Sequence, residues 1–302
     1  MKQRVITGIY IFLATALAIL SKLLPYNIGE YIFDIFIVSI AIIAGFEMSN
    51  MMDKMYRPNN KIFTAAYPIF YYIVLLISLN HFTKDQFAMI TIIEFVALVF
   101  YILIVSLFEI IKSKGKNLKS SLSTGINTLI PCVYPGFLFS LFLNINHADI
   151  FAGKYFSFVF IILVVAITML TDTFAYFVGS KIRGPKLAPS ISPNKTISGA
   201  IGGLVGGIAG AMLLYLIVYL VPALNAVIIG VHSISWWHFL LLGLFGSVFG
   251  QAGDLFESKL KRLANIKDSS NIFPGHGGML DRIDAMTFVA VFVFLYATLI
   301  MI

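Results

Sequence analysis

The chain has 302 residues, 59 % of them hydrophobic and 12 % charged, with a formal net charge of +7; soluble domains run at roughly 45–50 % and about 25 %. Such a shortage of polar surface excludes a water-soluble globule, and the apolar residues stand in blocks of bilayer-crossing length, so the expected fold is an all-α polytopic membrane protein. The single cysteine, Cys132, excludes an intrachain disulfide and any multi-cysteine metal site.

A hydrocarbon core of ~30 Å takes about 20 helical residues to cross. In chain order the sequence offers nine such blocks: 5–24, 31–48, 62–80, 87–111, 121–143, 156–179, 200–221, 235–256 and 285–302. Lys2 and Arg4 precede the first block, which runs on through Leu24 and reads as an uncleaved signal anchor. The connecting segments alternate in cationic content. Lys22, Lys84 and Lys154 fall on one side, and the other 18 of the 21 Lys and Arg fall on the other. By the positive-inside rule the N-terminus is expected in the cytoplasm and the C-terminus outside. The basic balance is thus first a topology signal, and nucleic acid is not expected as a partner.

Two regions differ in content. Residues 1–155 form an N-terminal transmembrane region of about five helices joined by short loops. Within or beside its spans lie Asp34, Glu47, Glu94 and Glu109. Intramembrane carboxylates are functional candidates by default, yet all four lie near predicted helix ends, where an interfacial placement explains them as well. Residues 156–302 form the second region, with long cytoplasmic loops expected at 180–199 and 257–284.

Asp172 and Tyr176 stand four apart on one face of the sixth block. Gly179 and Gly184 have P-loop spacing, but Pro185 occupies the position where a Lys-Ser/Thr pair should begin, and no strand precedes them. Lys181, Arg183 and Lys186 suit a polyanionic ligand or anionic headgroups equally. In Ser192-Pro193-Asn194-Lys195-Thr196 the proline fixes the backbone beside polar donors. Gly199, Gly203 and Gly207, with Gly202, Gly206 and Gly210, then repeat every four residues. That is a smooth face for close helix approach, within the chain or across a homodimer.

Residues 254–284 carry the densest chemistry. Asp254 and Ser258 share a helix face, as do Asp281 and Asp284. Carboxylates at two helix ends make a hard-cation site, and oxygen-only ligands with positions open to phosphate favour magnesium. Pro274, Gly275, Gly277 and Gly278 surround His276 and permit a tight backbone approach to a ligand.

Ser258, Lys261, Arg262, Lys267, Asp268, Pro274, His276, Gly277, Gly278, Asp281, Arg282 and Asp284 together resemble the signature of the phosphatidate cytidylyltransferase (CDP-diacylglycerol synthase) family. Asp172–Gly199 resembles the same family's looser second motif, departing from it at Asn194, where lysine is common, and at Ser198, where an acid is common. The resemblance implies a magnesium-dependent reaction of CTP with phosphatidic acid that yields CDP-diacylglycerol and pyrophosphate, with a second cation allowed. It implies catalytic roles for Asp254, Asp281, Lys267, His276, Arg282 and Asp284, with Asp254 and Asp281 as metal ligands. Asp172, Ser192, Lys195, Thr196, Ser258, Lys261, Arg262 and Asp268 are expected to hold CTP or the lipid phosphate. The expected setting is the plasma membrane, with the active site facing the cytoplasm. Two other readings compete: a CTP-dependent polyisoprenoid-alcohol kinase, and a secondary transporter. The latter should carry paired repeats and broken midplane helices in both halves, whereas the polar residues here gather in one half.

Overall fold

A computed structural model describes residues 2–24, 28–82, 87–113, 118–229 and 234–301. They fall into two compact units, Met1–Leu143 with Leu263–Arg282, and Asn144–Arg262 with Ile283–Ile302. The segment 263–282 therefore belongs with the N-terminal helices, although in sequence it follows the second set.

The first unit contains α1 (Lys2–Ser21), α2 (Ile28–Lys54), α3 (Lys61–His81), α4 (Phe87–Lys112), α5 (Leu118–Pro131) and the start of α6 (Leu138–Asn146). Helix α3 starts where the Asn60 side chain accepts from Ile62 N and Phe63 N at 3.2 and 3.3 Å, satisfying two end N–H groups. Phe33, Met48, Tyr67 and Tyr71 form its core, while Phe12, Leu17, Phe100 and Leu103 stay more than half exposed. A large apolar residue on the outer face of an apolar helix is at home against lipid. Between α5 and α6 the residues Cys132–Phe137 form a π-helical turn, with Tyr134 at φ −123°, ψ 115° between Pro131 and Pro135. Proline removes a donor and crowds the preceding turn, so the fifth apolar block is broken rather than straight.

The second unit holds the end of α6, α7 (Asp149–Ala152), α8 (Phe156–Ile182), β1 (Lys186–Ala188), β2 (Ser192–Thr196), α9 (Ile197–Leu220), α10 (Pro222–Ile229), α11 (Trp236–Leu263) and most of α12 (Leu280–Tyr296). Helices α8 and α9 meet along the glycine series. A Cβ at Gly206 would fall 2.4 Å from Leu170 O, and one at Gly202 would fall 2.5 Å from Val178 Cβ. The glycine face is thus used inside the chain, and a dimer would need another surface.

Among the described residues, eight helices are long and apolar enough to cross a membrane, and Ile6–Ser21 is a shorter apolar helix. The nine blocks of the sequence each coincide with one of them, and the protein is an all-α polytopic membrane protein. Two loop boundaries differ from expectation. Helix α11 continues to Leu263 and α12 begins at Leu280, so the irregular part of 257–284 is only 264–279, and Ser258, Lys261, Arg262, Asp281 and Asp284 are helical. The stretch expected as loop 180–199 contains an antiparallel hairpin, with Lys186 opposite Thr196 and Ala188 opposite Ser192. Pro185 and Pro193 cannot serve a helix interior, and Ile197 N closes the hairpin base by donating to Pro185 O at 3.0 Å.

Candidate functional site

In the second unit a cavity of 490 Å³ opens between α8, β2, α9 and α11, and Asp172, Tyr176, Lys195, Thr196, Gln251 and Asp254 are on its wall. Asp172 and Tyr176 come from one face of α8, four residues apart as the sequence spacing requires. Lys195 is delivered by β2, and its Nζ forms an ion pair with Asp254 Oδ2; the two side chains are 27 % and 30 % exposed. Both groups are therefore within reach of a solute entering the cavity. Asp254 Oδ1 lies 3.4 Å from Ser258 Oγ, a long contact one helical turn on. Thr196 is 6 % exposed and acts as the N-cap of α9, its Oγ1 accepting from Gly199 N at 3.1 Å. Ser192 starts β2 opposite Ala188, and Arg262 is tied to the hairpin by donating Nε–H to Ile191 O at 3.2 Å.

One turn beyond Asp254, α11 carries Glu257, which is fully buried and paired to Lys261 Nζ at 2.9 Å. Asp284 of α12 is within electrostatic range of Asp254 and Lys261. The helices come this close because of Gly253, where a Cβ would fall 2.8 Å from Asp284 O and 2.6 Å from the Phe288 ring. Three acids and two cations are thus gathered on α11, α12 and β2. Sequence reasoning passed over Glu257; its position three residues after Asp254 and four before Lys261 is the signal that places it on their face.

This donor set suits a divalent cation of the hard class. Among the described residues no three His, Cys, Asp or Glu side chains form a ready-made metal cage. Magnesium seldom uses one, since it keeps several waters and binds through one or two carboxylates plus substrate phosphates. Asp254, reachable and backed by Asp284, fits that use.

The first unit holds the remaining motif residues. Lys267, Asp268 and Arg282 are exposed. His276 is half-buried in a tight turn, its N–H donating to Phe273 O at 2.8 Å, with Gly275 and Gly277 at φ 78° and 79°. These left-handed values favour glycine. Asp281 Oδ2 accepts from Ser269 N at 2.9 Å and Gly278 N at 2.7 Å, and lies 2.8 Å from Ser269 Oγ. Asp281 is therefore built into the loop, in contrast to the accessible carboxylate of Asp254.

The four acids of the N-terminal region are all buried within the protein. Tyr72 OH donates to Asp34 Oδ2 and Tyr71 OH to Glu94 Oε2, both at 2.9 Å. Asn60 Nδ2 donates to Glu109 Oε1 at 2.6 Å. Partnering of this kind is what allows a carboxyl group inside a membrane helix. Glu47 is different, since its donors all come from the motif loop.

The sequence matches the model of a family described as the cytidylyltransferase family over residues 2–300. A protein of Bacillus subtilis (strain 168) named phosphatidate cytidylyltransferase is 32 % identical over 300 residues, covering 97 % of this chain and 96 % of its own length. A protein of the same name from Thermotoga maritima is 31 % identical over 161 residues, 53 % of this chain and 54 % of that one. Another, from Staphylococcus haemolyticus, is 55 % identical over 53 residues, 18 % of this chain and 20 % of that one.

Proposed function

The chain belongs to the cytidylyltransferase family, and we propose that it transfers the cytidylyl group of CTP to phosphatidic acid within the membrane, forming CDP-diacylglycerol and releasing pyrophosphate. The observation that carries this reading is the full-length kinship with a phosphatidate cytidylyltransferase. It is supported by a cavity whose wall pairs a reachable carboxylate, Asp254, with the Lys195 ammonium.

The chemistry asks little of a general base. An oxygen of the lipid phosphate, already ionised near neutral pH, attacks the α-phosphorus of CTP, and the bond to the bridging oxygen of pyrophosphate breaks. The protein's task is to hold two anions in line and to stabilise charge as it moves onto the leaving group. Lys195 meets a phosphate at the cavity wall, exchanging its contact with Asp254 for one with substrate. Lys261 and Arg262 extend the cationic face of α11, and Asp172, Ser192, Thr196 and Ser258 supply acceptors and donors around the nucleotide. Asp284 and Glu257 keep Lys261 in place. From the motif loop, Lys267, His276 and Arg282 contact phosphate oxygens, and Asp268 orients a neighbouring cation. Magnesium, held by Asp254 and, by the motif resemblance, by Asp281, would neutralise the triphosphate and polarise the α-phosphoryl group.

We place the reaction at the cytoplasmic face of the plasma membrane, because the loops that bear the motifs are also the cation-rich ones. CTP then arrives from water while the acyl chains of phosphatidic acid remain in lipid. The test is product analysis with purified protein, CTP, phosphatidic acid and magnesium in detergent. Pyrophosphate and CDP-diacylglycerol are expected in equal amounts; CDP without pyrophosphate would mean γ-phosphoryl transfer and would replace this reading with the kinase one.

A further inference from the structure

Glu47 belongs to neither motif. It lies on α2 inside an apolar stretch, where an uncompensated carboxylate is costly. It is only 3 % exposed, and four donors meet it, all from residues 269–280 of the same unit. Oε1 accepts from Ser270 Oγ at 2.5 Å and from Met279 N at 3.0 Å. Oε2 accepts from Ser269 Oγ at 3.0 Å and from Leu280 N at 2.7 Å. A helix cap satisfies one or two end N–H groups, and Met279 and Leu280 account for that much. The two serine hydroxyls lie outside the helix, near the middle of the loop. Glu47 therefore draws the middle of the loop and its C-terminal end onto one carboxylate.

The motif bears the imprint of this contact. A Cβ on Gly278 would fall 2.1 Å from Ser269 Oγ and 2.5 and 2.6 Å from the two Glu47 oxygens. The second glycine after His276 thus leaves the space that Glu47 and Ser269 fill. Ser269 Oγ also stands 2.8 Å from Asp281 Oδ2, so the hydroxyl sits between the two acids, its one proton serving one of them at a time.

We propose that Glu47 is a positioning residue for cytidylyl transfer: it clamps the loop 264–279 and so fixes His276 and Asp281, while touching no substrate itself. This rests on the reading that the motif serves that reaction. In Glu47→Gln the shape is kept, but the amide nitrogen would face donors. With the full chain in detergent, kcat for CTP and phosphatidic acid is expected to fall about a hundredfold, the loss a small misplacement of catalytic groups brings. KM for phosphatidic acid is expected to stay within about twofold, since no ground-state lipid contact is removed. Ser270→Ala alone is expected to cost about threefold and to cost nothing further in the Glu47→Gln background, because both act through one clamp. Hydrogen exchange at the Met279 and Leu280 amides should quicken about tenfold in Glu47→Gln.

A folded Glu47→Gln protein with kcat within about twofold of wild type, or losses that simply add in the double variant, overturns the inference. If Glu47→Gln does not survive extraction, Ser270→Ala carries the test: a lower kcat at unchanged KM supports the clamp, and an unchanged kcat removes it. A wild type without transfer activity overturns the parent reading instead. The exchange measurement then decides the clamp: faster exchange in the variant sustains it, and equal exchange removes it.

Discussion

Each of the two motif segments runs into the N-terminus of a membrane helix, and the two helix ends are satisfied in opposite ways. Helix α9 is capped by the residue before it, with the Thr196 hydroxyl accepting one bond from Gly199 N. Helix α12 is capped from α2, with Glu47 accepting from Met279 N and Leu280 N while Asp281 accepts from Gly278 N. The first arrangement is neutral and local, and beside it Lys195 pairs with Asp254, which has a further, long contact with Ser258. The second ties charged groups to backbone, so the loop and its acids form one rigid piece. The difference separates two kinds of residue: on the α9 side a substitution should remove chemistry and spare the fold, and on the α12 side it should disturb both.

The largest effect is expected on the α9 side, at Asp254. Asp254→Asn should lower transfer by about a thousandfold or more, the scale seen when charge stabilisation is removed from a preorganised site. The ion pair with Lys195 is part-exposed, and such pairs contribute about 0–1 kcal/mol, so the melting temperature in detergent should hardly move. A variant that keeps a tenth of wild-type activity, or that melts far earlier, breaks the comparison at its chemical end. Asp281→Ala comes next and should fail on both counts. Two backbone N–H groups lose their acceptor, and each buried unsatisfied group costs about 1–3 kcal/mol. Activity loss without a lower melting temperature would show that the loop does not depend on this carboxylate. Gly278→Ala should follow, destabilising by about 1–3 kcal/mol as overpacking does, because its Cβ meets Ser269 and Glu47. Unchanged stability there would mean that the loop yields rather than holds.

The same contrast explains what could be read from the sequence. The signature residues from Ser258 to Asp284 announce their chemistry by resemblance to the family pattern, whereas Thr196 falls inside the stretch expected as loop and shows its cap only in the structure. Glu47 gives no such sign, because its partners lie 222 to 233 residues away and two of them are main-chain N–H groups, which carry no residue identity. Hydropathy placed it near a membrane boundary because that scale counts transfer cost and ignores donors. For a related reason the last turns of α11 were expected as loop: Glu257, Ser258, Lys259, Lys261 and Arg262 are too polar to cross a bilayer, yet mostly good helix formers. The nine apolar blocks, by contrast, depend only on composition and length, and each coincides with observed helix, the fifth broken at Cys132–Phe137.

The smallest expected effect tests the local cap itself. Thr196 lines the cavity and also serves α9, so its substitution by alanine combines a structural loss with any loss of substrate contact. Removing an N-cap hydroxyl costs about 1 kcal/mol. Thr196→Ser keeps the oxygen and should restore stability to within a few tenths of a kcal/mol of wild type, the usual spread for exchanging one good cap for another. If the hydroxyl only caps α9, Thr196→Ala should melt earlier with an unchanged KM for CTP. If it also holds nucleotide, as assigned here, KM should rise by about threefold to tenfold, the worth of one hydrogen bond to a phosphate, and serine should restore it. An alanine variant with wild-type KM would remove Thr196 from the nucleotide contacts of that wall, leaving Asp172, Lys195 and Asp254, and would make the cap of α9 a purely structural counterpart of the clamp at α12.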